Sequence, residues 1–175
     1  MKKSTINYLS GDRKILFGYR DEKSAWVGSE YFLAAVPWEE FLKLGKIAIY
    51  ATSHFEEFKA SEGYIKENDG FIKPLSIKRL FPKNPELKLK KSNWKFYFAA
   101  SGGLLQVFLT EDYNNIFVGE KYLEYVLDCL GEFEHPNFYT EGAYKPVVMY
   151  DDSWNELGLL LPVRVSMDEK VSRYE

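Results

Sequence analysis

The chain has 175 residues, 46% of them hydrophobic, and a net charge of −3, a composition that supports a packed core and excludes an intrinsically disordered chain. The single cysteine, Cys129, excludes an internal disulfide and a cysteine-cluster zinc site. No run of about 18 apolar residues occurs. The sequence therefore predicts a cytoplasmic protein that does not contact a membrane. Aromatic residues make up 17% of the chain. Because large rings pack well across neighbouring strands, this excess predicts more sheet than helix.

The N-terminal half of the chain is predicted to contain strands around one short helix. Residues 1–30 are predicted to form N-terminal strands, because KILFGYR and SAWVG are apolar runs separated by turn residues. A short helix is predicted over 37–44, since Pro37 suits the first helical turn and Trp38 and Phe41 share one face. The predicted strands after it lie near 47–52, 55–60 and 63–67.

The C-terminal half begins with a predicted hairpin, NWKFYFAASGGLLQVFLTED, whose turn is Ser101–Gly103. A helix is predicted over 120–130, where Leu123, Val126 and Leu130 fall on one face. Pro162 predicts a sheet edge or a strand end, and the polar residues 166–175 are predicted to be a frayed tail. The predicted strands after the helix lie near 136–141, 145–150 and 157–165.

The two halves follow the same order of elements. In each, an apolar strand-like run precedes a helix, and three strands come after it. The sequence therefore predicts an α+β fold made of two strand-helix-three-strand half-units, at 31–95 and 96–165, within one domain that spans 1–175.

Charge is unevenly distributed along the chain. Residues 73–95 carry eight basic side chains and one acid, whereas residues 110–156 carry eleven acids and two lysines. The basic segment is predicted to contact phosphate groups, with a tryptophan able to stack on a base. The alternative is a solvated loop that balances the acidic half. The candidate nucleic-acid-binding residues are Lys78, Arg79, Lys83, Lys88, Lys90, Lys91 and Trp94.

Other chemical groups have a simpler structural interpretation. Asp151 and Asp152 could bind a metal or act as acid and base, but Asp-Asp-Ser between two strands is typical of a turn. Cys129 falls in a helical pattern among leucines, which predicts a small core residue rather than a nucleophile. The sequence thus predicts no catalytic residue, metal site or cofactor. Two alternative functions stay open: a small enzyme with dispersed carboxylates and tyrosines, and a structural accessory protein of a mobile element.

Three segments, IFVGEKYLEYVLDCLG, KPVVMYDDSW and ELGLLLPVRV, together resemble the C-terminal domain of the bacterial DNA polymerase III β subunit, the sliding clamp. The resemblance implies a non-catalytic, clamp-like domain that binds DNA or a linear peptide of a replication or repair protein, and it makes an oligomer possible. It also implies that residues at the closing strand bind the partner peptide. These residues are Leu160, Pro162, Val163 and Arg164.

Two features depart from the pattern of that family. A bacterial clamp chain has three such domains, and this chain has room for one. The helices that line the hole of a clamp are basic, whereas helix 120–130 carries Glu120, Glu124 and Asp128 against Lys121. This charge predicts that the helix does not face DNA.

Overall fold

The computed structural model describes residues 1–99, 103–112, 114–131, 135–165 and 171–174. The chain is α+β with more strand than helix, and the strand ladders within it are antiparallel, which confirms the predicted fold class. It divides into two compact units, one made of Met1–Phe81 with Val126–Glu134 and the other of Pro82–Tyr125 with His135–Glu175. The domain limits named above stay a prediction.

The first unit contains five strands in the order β5-β4-β1-β2-β3. KILFGYR and SAWVG form strands, as predicted; they pair with each other, and SAWVG also pairs with FLAAVP. Five successive residues of the third strand, Phe32 to Val36, are buried, so both faces of this strand are covered. The strands are β1 (Ile15–Tyr19), β2 (Ser24–Gly28), β3 (Phe32–Pro37), β4 (Tyr64–Lys66) and β5 (Ile72–Pro74).

Helices make up much of the rest of the first unit. Helix α2 is the predicted short helix, although it is limited to Trp38–Phe41. The other helical segments are α1 (Lys3–Ser10), α3 (Lys46–Ser53), α4 (Phe55–Ala60) and a 3₁₀ helix (Ile77–Leu80). Within the described part of the chain, no helix is long and apolar enough to cross a bilayer.

Helix α1 corrects the prediction that residues 1–30 form only strands. Its N-cap position, Lys2, makes no side-chain capping bond, so the usual sequence signal of a helix start is missing. The acceptor comes from a distant residue: Asp128 Oδ2 accepts hydrogen bonds from the Lys2 backbone N–H at 2.8 Å and from Thr5 Oγ1 at 2.5 Å. A carboxylate at this position also stabilises the positive end of the helix.

Residues 46–60 form two helices, α3 and α4, and the strands predicted at 47–52 and 55–60 are wrong. Gly45, with φ of 59°, immediately precedes α3. Leu44, Ile47, Ala48 and Ala51 are buried, while Ile49 is 66% exposed. Within α3, the burial of Ile47, Ala48 and Ala51 and the exposure of Ile49 follow helical spacing, which overrides the strand preference of the isoleucines.

Packed phenylalanine and tyrosine rings form the core of the first unit, with Phe58 of α4 at their centre. The Phe58 ring lies 6.1 Å from Phe17, 6.0 Å from Tyr64 and 6.1 Å from Phe41, centroid to centroid. Phe17, Phe41 and Phe58 have no exposed surface. These contacts hold the helical segment against β1 and β4, and they explain why so short a helix persists.

The second unit is a sheet in the order β11-β10-β9-β6-β7-β8, with β12 paired to the C-terminal end of β6. Its helix is α5 (Glu120–Leu130), of which the part from Val126 onward belongs to the first unit. The strands are β6 (Leu87–Phe98), β7 (Gly103–Thr110), β8 (Asn115–Gly119), β9 (Asn137–Thr140), β10 (Val147–Tyr150), β11 (Glu156–Leu160) and β12 (Val171–Tyr174).

Most predictions for this half are confirmed. The hairpin β6–β7 is present, although Ser101 and Gly102 of its turn lie outside the described residues. The order β8, α5, β9, β10, β11 is the predicted strand, helix and three strands.

The basic segment begins as a loop, up to residue 86, and continues from Leu87 as β6, which pairs with both β7 and β9. The prediction of a frayed tail is wrong. Residues 171–174 of the predicted frayed tail form β12, which pairs with β6. The remaining tail residues, 166–170 and 175, lie outside the described residues.

Candidate functional site

The basic segment of the sequence lies mainly on β6. Lys88, Lys90 and Lys91 are exposed, and no ion pair to any of them occurs among the described residues. Strand alternation places Lys88 and Lys90 on one face of the sheet, while Lys91 shares the other face with the buried Leu89. The structure therefore brings two of the predicted phosphate-binding lysines to the same face.

A bulge in β6 separates these lysines from Trp94. The register with β7 shifts between Lys91 and Lys95. Gln106, which is 1% exposed, donates through Nε2 to the backbone oxygen of Ser92 at 2.7 Å. Ser92 Oγ in turn accepts a hydrogen bond from the Trp94 backbone N–H at 3.1 Å. These bonds fix the bulge, which leaves the Trp94 side chain 45% exposed.

A shallow groove of about 570 Å³ runs along β6 and β7 beside the lysines. The β7 side contributes one acid, Glu111, so the charge of the groove is mixed at that end. Its lining residues are Lys88, Leu89, Lys90, Leu109, Thr110 and Glu111.

The remaining basic candidates are divided between the two units. Lys78 and Arg79 are exposed on the 3₁₀ helix of the first unit, and Lys83 is exposed in the second. Among the predicted nucleic-acid-binding residues, those on β6 are therefore the group that can be described as one surface.

The segment predicted to bind a partner peptide closes the second unit. Its residues occupy different environments. Leu160 has no exposed surface, so it serves the core. Pro162 forms an isolated antiparallel bridge with Val118 of β8, and the Val163 backbone N–H donates to Phe117 O at 2.7 Å. The Arg164 guanidinium lies 5.2 Å from the centre of the Tyr144 ring, a cation–π distance.

A cavity of about 260 Å³ lies beside Val163, at the start of α5. Two glycines shape it. A Cβ on Gly119 would come within 2.8 Å of the Tyr122 ring, so this glycine lets the ring lie close to the strand. A Cβ on Gly103 would meet nothing within 4 Å, so the cavity is open there. The other lining residues are Leu104, Leu105, Glu120, Lys121, Tyr122 and Glu124.

Two alternative chemical assignments receive structural explanations. Asp151 Oδ1 accepts the backbone N–H groups of Ser153 and Asn155 at 2.9 and 2.8 Å, which confirms the turn interpretation. Burial, followed by the neighbouring Asp128 carboxylate, raises the pKa of the Cys129 thiol to about 12. The thiolate is therefore absent at neutral pH, and the interpretation of Cys129 as a core residue is confirmed.

One surface cluster was missed from the sequence. The Trp154 ring lies 4.9 Å from Tyr139 and 5.6 Å from Tyr150, and the two tyrosines are 5.8 Å apart. Trp154 is 62% exposed and adopts a φ of 62° in the turn before β11. We call these three residues the aromatic cluster. The aromatic residues in the predicted strands near 136–141 and 145–150 were the available signal, but they do not tell which face of a strand is open to solvent.

No protein-family model and no curated protein matches the chain. Among solved structures, it is similar to a protein of Eubacterium rectale ATCC 33656 that is provisionally described as a DNA polymerase III beta subunit. The two share 13% identity with a TM-score of 0.38, over 93% of this chain and 64% of that one. This chain therefore spans less than two thirds of the length of that protein.

Proposed function

We propose that the chain is a non-catalytic, clamp-like binding domain of DNA metabolism that docks an extended peptide beside its closing segment. The observation that carries the proposal is the cavity of about 260 Å³ next to Val163. It lies at one of the four positions that the sequence resemblance implicates. Leu160 is buried and Arg164 packs on Tyr144, so Val163 is the residue of that set assigned to direct contact.

The chemistry of the cavity suits a peptide better than a nucleic acid. Leu104, Tyr122 and Val163 offer an apolar wall, and Leu104 is 37% exposed. The charged groups at its rim are Glu120, Lys121 and Glu124, and Glu120 is ion-paired with Lys95. With Glu120 paired to Lys95 and Lys121 beside Glu124, the rim carries no net positive charge to attract phosphate. An apolar side chain of a peptide would enter the cavity while its backbone remains at the polar rim.

Gly103→Phe is expected to block this cavity without unfolding the chain. The position is open, so an aromatic side chain fills the cavity rather than the core. Peptides selected from a phage-displayed library against the unaltered chain should bind the variant at least about tenfold more weakly, because a filled cavity forfeits their apolar anchor. Fluorescence polarisation with labelled copies of the selected peptides measures the affinity.

Gly142→Phe is the matched control, since a side chain there meets only the Lys145 chain, at 3.8 Å, and lies outside the cavity. Circular dichroism of both variants should match the parent. Equal binding of the selected peptides to Gly103→Phe would show that the pocket is assigned wrongly.

The basic strand supports a second candidate function, the binding of nucleic acid. Lys88 and Lys90 line the groove along β6 and β7, and Trp94 is exposed on the same strand. Lysines that neutralise phosphates release counterions, and an exposed ring can stack on a base.

The triple variant Lys88→Gln, Lys90→Gln, Lys91→Gln tests this function. If the lysines contact phosphates, the slope of log K against log salt should fall by about 0.7 to 0.9 for each contact removed. Titration of a fluorescent oligonucleotide at several salt concentrations measures the slope. A triple variant with the same charge change elsewhere, at Lys43, Lys121 and Lys145, should leave it nearly unchanged. Equal slopes for the two variants would exclude β6 as the phosphate-binding strand.

A further inference from the structure

The aromatic cluster of Tyr139, Tyr150 and Trp154 lines a small cavity of its own. Tyr139 and Tyr150 come from the adjacent strands β9 and β10, where Tyr150 stands opposite Asn137 and Tyr139 opposite Val148. Trp154 follows in the turn and covers both rings at 4.9 and 5.6 Å. Asn137, Asp151 and Asp152 complete the lining of a cavity of about 100 Å³.

Several carboxylates lie near these rings. Glu156 is the cross-strand partner of Tyr150 on β11, and Asp151 and Asp152 line the cavity itself. Burial, and then the charges of Glu156 and Glu141, raises the pKa of the Tyr150 hydroxyl, so both carboxylates act on the ring from nearby. Lys88, opposite Tyr139 on β6, is a cation on the other side of the cluster. The negative charge therefore lies on the side of β10 and β11.

Two hydrogen-bonding side chains, Asn137 and Asp152, line the cavity beside the rings. Asn137 Nδ2 donates to Asp152 Oδ1 at 3.1 Å. The Asn137 amide oxygen and Asp152 Oδ2 then remain as acceptors, and neither has a hydrogen-bond partner among the described residues. An N–H donor that enters the cavity beside the rings would find both acceptors and a negative charge.

We infer that this cavity is a binding site for a cationic side chain, arginine or lysine, carried by a basic segment of a partner protein. A cation over the faces of Trp and Tyr is attracted by their ring quadrupoles, and the carboxylates strengthen that attraction. The volume of about 100 Å³ is below the roughly 300–1,000 Å³ of a small-molecule site, so it suits the head group of one side chain. Stacked nucleic acid is disfavoured, because its phosphates would face the carboxylates of Asp152 and Glu156.

The test is an NMR titration of the full chain with three blocked pentapeptides, Gly-Ser-X-Ser-Gly, in which X is arginine, lysine or the uncharged citrulline. The indole N–H signal of Trp154 is followed. The arginine and lysine peptides should shift this signal saturably, and citrulline should bind about tenfold more weakly or worse. Trp154→Ala should lower the affinity for the arginine peptide by about tenfold, measured on the remaining signals, and Asp152→Asn by about threefold or more.

Phe71→Ala is the matched control, because it removes another exposed aromatic ring that lies outside this cavity and should leave binding unchanged. The inference would be overturned if the citrulline and arginine peptides bound equally, or if neither basic peptide gave a saturable shift. Undiminished binding by Trp154→Ala would also overturn it. So would a single-stranded oligonucleotide that displaces the arginine peptide from the Trp154 signal. Gly103→Phe lies outside this cavity, so failure here is distinguishable from failure of the peptide site beside Val163.

Discussion

Phe58→Ala should lower the free energy of unfolding by about 3 to 5 kcal/mol, the range measured for buried Phe-to-Ala changes. Phe58 has no exposed surface and lies within about 6 Å of four other rings, those of Phe17, Trp38, Phe41 and Tyr64. The change leaves a cavity among these rings and removes the anchor of helix α4. Since small domains are stabilised by only about 5–15 kcal/mol, this single change should place the first unit near the limit of stability.

Urea unfolding followed by tryptophan fluorescence measures the effect, and Phe71→Ala supplies the comparison. Phe71 lies in the same unit but is 60% exposed, so the same atoms are removed from a ring that contributes little burial. Its effect should stay below about 1 kcal/mol. If both variants unfold at the same urea concentration, Phe58 is not the centre of the core.

Gly28→Ala should be the most disruptive addition of a single methyl group, with a loss of about 3 kcal/mol or more. A Cβ on Gly28 would lie 2.1 Å from Phe32 O and 2.8 Å from Leu33 Cα. Both are backbone atoms of the adjoining strand β3, so no side-chain rotation relieves the overlap. The β2–β3 hairpin would have to separate at the point where both strands are buried.

The comparison is Gly103→Ala, where the added methyl group meets nothing within 4 Å. Thermal unfolding of this variant should lie close to that of the parent, with a change in stability below about 1 kcal/mol. A loss at Gly28 no greater than the loss at Gly103 would mean that β2 and β3 lie farther apart than the contacts given above.

The second half of the chain could be predicted well because its signals are local. Helix α5 has Leu123, Val126 and Leu130 at helical spacing, and Gly131, with φ of 53°, follows its end. The strands after it are apolar runs separated by turn residues such as Asp151, whose carboxylate organises the turn. In this part of the chain, the sequence pattern and the tertiary environment favour the same structure.

The first half was predicted less well because distant residues decide its structure. Asp128 supplies the cap that the sequence around Lys2 lacks. In residues 46–60, β-branched residues favour a strand, whereas burial of Ala48, Ala51 and Phe58, with Phe58 packed against β1 and β4, favours helices. The spacing of Ile47, Ala48 and Ala51 was the readable signal for a helix.

The candidate sites show the same limit. Val163 could be selected from a resemblance in sequence. The cavity beside it, however, is also lined by Gly103, which lies sixty residues earlier in the chain. The aromatic cluster joins Tyr139, Tyr150 and Trp154 from two strands and a turn. Each looks like an ordinary strand or turn aromatic in the sequence, and only the register of β9 with β10 brings them together.

The bond from Val163 to β8 restricts how any partner can join this unit. A free outer strand invites an incoming chain to extend the sheet by main-chain pairing. On β8, Phe117 O and Val118 already pair with the segment Pro162–Val163. A strand added there would first have to displace the segment Pro162–Val163 from β8. Recognition on this side is therefore expected to proceed through side chains entering pockets, with β-augmentation blocked until that segment is displaced.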